Sequence, residues 1–183
     1  RELNIIIAVG MTETDGKRAH ITHVLLDGHG VIGKHRKSQL AGGANGEGKI
    51  WDPGDDANVF EIRGLRFGVA ICYESVNPET CRKLRANGAQ IILAPYANGT
   101  LPEELTNGKR AYPAARAKEN GVWYVACDAP SHLEDGSICP GAAYVINPAG
   151  DLVALTAPGT TGENMIVYTI RPPRQVENPP PQG

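Results

Sequence analysis

The chain has 183 residues, 41% of them hydrophobic and 21% charged, and a formal net charge of −2. That is one soluble domain, long enough to bury its own core, and its charge argues against a nucleic-acid partner bound by phosphate neutralisation. With no apolar run of membrane-spanning length and no signal-peptide pattern, it reads as a cytoplasmic protein without a membrane partner.

In chain order, Asn4 to Val9 (NIIIAV) is expected as a buried strand that Gly10 ends. Ala19 to Leu26 and Gly30 to Arg36 read as two strands turning at Asp27, Gly28, His29 and Gly30. Lys37 lies just past the second of them. Ala41 to Ala57, with five glycines and a proline, is loop by composition. A loop that long inside a compact domain is more often functional than idle. Asn58 to Ile62 and Phe67 to Ile71 suggest a further strand pair around Arg63 and Gly64.

The next stretch organises the rest. Phe67 to Ile71 is an apolar run that stops at Cys72. Asn77 suits a helix N-cap, Pro78 the first helical position and Glu79 the first turn. Arg82, Lys83 and Arg85 favour the far end of the helix, which Gly88 closes. Gln90 to Ala94 then reads as a buried strand closed by Pro95. Cys72 is therefore expected at a turn from strand to helix, exposed on a rigid backbone as in a nucleophile elbow. The alternative at this point is a small buried hydrophobe, the commoner fate of a cysteine.

Asn98 to Asn107 reads as loop, Pro113 to Asn120 as a helix stopped by Gly121, and Val122 to Cys127 as a buried strand. Arg116 and Glu119 are three apart on the helix and can pair. Ala143 to Ile146 and Asp151 to Leu155 form a hairpin, and Asn164 to Ile170 is expected as the last strand. The segment from Arg171, RPPRQVENPPPQG, reads as a proline-rich tail, so the expected division is a domain over 1–170 and a tail over 171–183. Strands outnumber helices and many are apolar throughout, the pattern of α/β layers.

The four cysteines, Cys72, Cys81, Cys127 and Cys139, form no CxxC pair and no zinc-ligand spacing. Free thiols in a reducing compartment are expected, with no metal and no cofactor. Cys81 and Cys127 read as packing residues and Cys139 has no assignment. His35, beside Lys37, reads as strand packing.

The ordered segments GKHRKSQL, WDPGD, FGVAICYESVNPE, GAQIILAPYANGT, ARAKENGVWYVACDA and PGAAYVINPAGDLVA resemble the carbon–nitrogen hydrolase (nitrilase) superfamily from about Leu3 to Ile170. WDPGD and APYANGT lean toward its amidase and N-carbamoyl amidohydrolase branches. The resemblance implies an α/β fold, the four-layer α-β-β-α sandwich, represented here by its central and C-terminal part. It also implies a homo-oligomer acting on a small amide, N-carbamoyl or nitrile substrate. By motif, Cys72 corresponds to the nucleophile, Lys37 to the catalytic lysine, and Glu47 to a second acidic residue that positions substrate and lysine. Asp128 stands near the pocket rim where the family often carries Asn, and ARAKEN reads as structural.

The chemistry fits those residue types. Attack on an amide or nitrile carbon needs a nucleophile better than water, and a thiolate is one. A nearby ammonium or helix N-terminus lowers a thiol pKa, which Lys37 and the helix at Pro78 are placed to do. The oxyanion is expected to be held by the Lys37 ammonium and the Tyr73 backbone N–H. Glu74 reads equally as a structural ion-pair partner.

The family's triad glutamate lies in an earlier segment. Glu2 and Glu13, the acids near the start, match no part of that motif. Loss of a general base costs roughly 10²–10⁴-fold in rate, so the chain alone is expected to be weak or inactive, with a sheet edge open to pairing. Two other readings stand beside the hydrolase: an impaired fragment serving as a binding or assembly unit, and an acyltransferase-type member.

Overall fold

A computed structural model describes residues 3–55, 57–97, 102–132, 138–139, 141–157 and 165–171. Its centre is a mixed sheet of six strands. Three parallel strands, β5 (Leu65–Val69), β6 (Ile91–Tyr96) and β7 (Trp123–Asp128), lie side by side. β4 (Val59–Ile62) joins antiparallel beyond β5. On the other side β10 (Ala143–Ile146) and β11 (Leu152–Leu155) complete the order β11-β10-β7-β6-β5-β4. A separate antiparallel sheet holds β1 (Ile7–Thr14), β2 (Ala19–Asp27) and β3 (Gly30–Arg36). Ser131–His132 (β8) and Ile138–Cys139 (β9) make a small two-stranded ladder.

The alternation of side chains along a strand assigns each residue to a layer. On one face of the six-stranded sheet, Ala70, Ile92, Ala94, Tyr124 and Ala126 join a buried cluster with Cys81, Leu84 and Ala117. The last three come from the helices α2 (Pro78–Ala86) and α4 (Tyr112–Asn120). On the other face Ile62, Val69 and Ile71 pack with Leu25, Ile21 and Ile32 of the three-stranded sheet. The layer order is helix, sheet, sheet, three layers of the expected sandwich. The outward face of the small sheet carries exposed Ile7, Val9, Met11 and Val31, with no described helix against it.

α2 forms as its sequence signals predict. The Asn77 side chain accepts from the Glu79 N–H at 3.0 Å, and Pro78 opens the first turn. α4 begins one residue before the expected bound and ends at Gly121 in the left-handed region. Two shorter helices are α1 (Tyr73–Val76), directly after Cys72, and α3 (Pro102–Thr106).

Several expectations need correction. The first strand starts at Ile7 and runs to Thr14, and its residues are largely exposed rather than buried. Among the described residues it is an edge strand with β2 alone beside it, so an apolar run does not by itself bury it. Pro95 lies inside β6 rather than closing it. Its missing N–H costs nothing there, and its carbonyl accepts the Cys72 N–H at 2.9 Å. The stretch expected as loop up to Asn107 contains α3; residues 98–101 lie outside the described residues. Residues 165–170 form no strand. They have no ladder partner among the described residues, and the Tyr168 ring instead lies 6.0 Å from that of Trp123. The proline-rich tail lies outside the described residues beyond Arg171.

Helix and sheet meet most closely at Gly68 of β5, where an added Cβ would come within 2.9 to 3.2 Å of three Leu84 atoms. Leu84 is fully buried. Gly68→Ala should therefore lower stability by about 1–3 kcal/mol, the ordinary cost of overpacking, read from urea denaturation midpoints.

Candidate active site

The carboxyl ends of β5, β6 and β7 open into a cavity of about 690 Å³, the usual location for ligands in an α/β sheet. Its wall includes Lys37, Glu47 and Cys72, residues far apart in the chain. β1 and β2 of the small sheet form the facing wall, through residues such as Gly10, Ile21 and His23.

Cys72 follows β5 and caps α1 with φ 48° and ψ −106°, a conformation that costs a non-glycine residue of order 1–3 kcal/mol. The surroundings hold it there. Its N–H donates to the Pro95 carbonyl, and its carbonyl accepts from the Ser75 N–H at 3.0 Å and the Ser75 hydroxyl at 2.7 Å. Ser75 is in turn bonded to the Tyr96 hydroxyl at 2.6 Å, and Tyr96 to the Tyr124 hydroxyl. The strand-to-helix elbow expected from the sequence is present, with the thiol half-buried on the cavity wall.

Lys37 follows β3. Its N–H donates to the Ile21 carbonyl and its own carbonyl accepts from Gly54, both at 2.8 Å. Its side chain is only 1% exposed, and an ammonium so buried needs a partner. Glu47 is that partner, accepting from Nζ at 2.8 and 2.7 Å and from the Ala41 N–H at 2.7 Å. The loop between Leu40 and Trp51 folds into two short 3-10 turns to bring Glu47 inward. A Cβ at Gly46 would fall 2.3 Å from the Ala41 carbonyl oxygen, so the loop closes only with glycine there.

The thiol does not behave as the sequence suggested. Burial pushes the Cys72 pKa up, against the Lys37 charge and the N–H groups of Ala97 and Tyr73, which lower it, while Glu47 adds to the rise. The net shift is upward because burial outweighs the Lys37 charge and the two N–H groups together. A thiol shifted upward in this way is protonated at neutral pH.

Other residues fall into place around this centre. The Tyr73 side chain is exposed and its backbone N–H points at the sulfur, the arrangement an oxyanion donor needs. Asp128 is buried at the cavity wall. Cys127, expected to be packing, is exposed and lines the cavity, because it lies at the end of β7 where Asp128 and Ala129 also reach the wall. Cys81 is fully buried, as expected, and burial pushes its thiol up to about 12. Arg116 pairs with Glu119 at 2.7 Å and reaches the Val76 carbonyl at the end of α1. Glu13 is committed elsewhere, to Arg36, Lys34 and Thr22. Sequence reasoning missed His23 and Trp51 in the wall and the fourfold bonding of Glu74. The period of β2 holds the signal for His23, since it shares a face with Ile21 and Leu25. Among the described residues, no group of three or more His, Cys, Asp or Glu side chains is placed to hold a metal ion.

Comparison with known proteins agrees with this geometry. The carbon–nitrogen hydrolase family model matches residues 1–176. The chain belongs to the carbon–nitrogen hydrolase family. Among curated relatives, a nitrilase of Pyrococcus abyssi is 31% identical over 158 residues, covering 86% of this chain and 56% of that protein. An N-carbamoylputrescine amidase of Solanum tuberosum is 29% identical over 182 residues, covering 91% of this chain and 60% of that one. This carbon–nitrogen hydrolase thus spans little more than half the length of these relatives. The solved amidase from Nesterenkonia sp. superposes with a TM-score of 0.72 at 29% identity, over 87% of this chain and 60% of its own. The expected nitrilase-type α/β fold is therefore correct. A glutamate mutant of that amidase carries the acetamide moiety of fluoroacetamide added covalently at its active-site cysteine.

Two outcomes follow from the charges. Because Lys37 lowers and Glu47 raises the thiol pKa, Lys37→Ala should move the pH midpoint of Cys72 alkylation by iodoacetamide upward and Glu47→Gln should move it downward. Peptide mass spectrometry across a pH series reads both. His23 is neutral in the fold, its pKa lowered from 6.5 to about 4 by burial and by the charge of His35. Below pH 6.5 the unfolded chain gains a proton that the folded one refuses. The His23 contribution is thus complete above pH 6.5 and is lost as pH falls to about 4, by at most about 3 kcal/mol. His23→Gln should flatten the fall in thermal midpoint across that window.

Proposed function

We propose that the protein hydrolyses non-peptide carbon–nitrogen bonds of small amide, N-carbamoyl or nitrile substrates through a thioester on Cys72. The observation that carries this reading is the meeting of Cys72 with the Lys37–Glu47 pair on one cavity wall. In this reading Cys72 is the nucleophile and Lys37 the catalytic lysine. Glu47 and Tyr73 position the substrate, Glu47 by fixing the lysine and Tyr73 by its backbone N–H.

For an amide, Sγ attacks the carbonyl carbon as a carboxylate takes the thiol proton. The oxyanion is held by the Lys37 ammonium and the Tyr73 N–H. Collapse breaks the C–N bond and the amine leaves with the proton. Water then attacks the thioester, the carboxylic acid departs and sulfur regains its proton. The protonated state of Cys72 makes the base essential. Glu47 is unsuited to that task, because both its oxygens are engaged by Lys37. The base is a second carboxylate, the triad glutamate of the family, whose motif neither Glu2 nor Glu13 matches. A solved relative whose active-site cysteine carries the acetamide moiety of fluoroacetamide supports a nucleophilic role for the cysteine.

The reading includes a domain over 1–170 followed by a tail, a cytoplasmic homo-oligomer, and no cofactor, membrane or nucleic-acid partner. The net charge of −2 and the free thiols Cys72, Cys81 and Cys127 support it, and no described helix is long and apolar enough to cross a membrane.

Incubation with fluoroacetamide or a short aliphatic amide should give an acyl or acetamide adduct on the Cys72 peptide by mass spectrometry, absent in Cys72→Ala. An adduct on Cys127 alone, or hydrolysis that survives Cys72→Ala, would overturn the assignment.

A further inference from the structure

We infer that Glu74 is a positioning residue for this reaction, a single buried carboxylate that fixes the lysine-bearing segment against the cysteine-bearing turn. The inference rests on the proposed roles of Lys37 and Cys72 and adds a residue to them.

Glu74 lies in α1, two residues after Cys72, and is 0% exposed. Its Oε1 accepts from the Ser38 N–H at 2.7 Å and the Ser38 hydroxyl at 2.6 Å. Its Oε2 accepts from the Ile71 N–H at 2.8 Å and lies 2.9 Å from His35 Nε2. Ser38 follows Lys37 in the chain, His35 precedes it by two on β3, and Ile71 precedes Cys72. One side chain therefore bonds to both neighbourhoods at once. Gln39 continues the seam onto α2, donating to Thr80 at 2.8 Å and accepting from Asn77 at 3.0 Å.

A carboxylate has about four acceptor sites, and here all are used. Four directional bonds fix distance and angle together, which an apolar contact of the same volume does not. Stability alone offers no reason for the arrangement, since well-packed hydrophobic residues in place of a buried ionic group are often neutral or better. Orientation does offer one. A misplacement of about 1 Å in a reacting group costs up to roughly 10²-fold in rate. Despite its burial, which opposes ionisation, Glu74 is held below the ordinary carboxylate range by His35 and Ser38, so the four acceptors persist across neutral pH. The charged groups that act on the Cys72 thiol are Lys37 and Glu47, and Ser38 sets where the first of these stands.

The test is Cys72 alkylation by iodoacetamide across a pH series on the full chain, with Cys81 read in the same digests. Glu74→Gln should raise the Cys72 midpoint and slow its alkylation at neutral pH by about tenfold, one unit of thiol pKa. Ser38→Ala should shift it the same way by less, and Ser38→Thr, which keeps the hydroxyl, should restore it. Cys81 should stay protected, since loss of position does not open the core. An unchanged midpoint in both Glu74→Gln and Ser38→Ala overturns the inference, as does faster labelling of Cys72 and Cys81 together, the mark of general loosening. Should Glu74→Gln fail to fold, the Ser38 pair decides alone. If Lys37→Ala also leaves the midpoint unmoved, the proposed role of Lys37 falls as well; if Lys37→Ala moves it and the Glu74 and Ser38 variants do not, only the positioning role falls.

Discussion

The site depends on an ammonium kept almost entirely out of water. Lys37 is 1% exposed, and such a charge is tolerated only beside a fixed opposite one. Glu47 provides it, and the glycine-rich loop exists in its observed shape to bring Glu47 there. The same pairing acts on the thiol. Lys37 lowers the thiol pKa and Glu47 raises it, but burial has the largest effect and keeps it above its ordinary value. In the proposed reaction such a centre stabilises charge that develops at attack, and deprotonation falls to a base acting at that moment.

Backbone geometry does the rest. Cys72 sits in an unfavourable conformation because three hydrogen bonds to its own peptide groups hold it there. A rigid sheet end, a four-residue helix and the carbonyl of Pro95 each contribute one fixed point. Proline inside β6 is compatible with this, since at that position the chain needs an acceptor and has no use for a donor.

Much of this was legible in the sequence. The turn at Cys72, the Asn77 cap, the Gly121 stop and the hairpins rest on local chemistry, which short segments report faithfully. Lys37 and Glu47 became readable only through the family resemblance, because nothing local distinguishes them from surface charges. What escaped were properties set by distant partners. Ile7, Val9 and Met11 have the composition of a buried strand, yet their burial depends on what lies across the sheet. Residues 165–170 have the composition of a strand but no neighbour to pair with among the described residues. Cys127 looked like packing because it ends an apolar strand, and whether that end lies in the core or at a cavity mouth is set by the elements around it.

The hydroxyl chain behind the nucleophile has a consequence for any titration of this protein. Burial lifts the phenols of Tyr96 and Tyr124 well above their ordinary range, so both stay protonated at neutral pH. The hydroxyl chain beneath the elbow is therefore electrically silent near neutral pH. A change in a curve recorded at the sulfur then points to the charged neighbours Lys37 and Glu47, or to Glu74 through their placement, and not to these phenols.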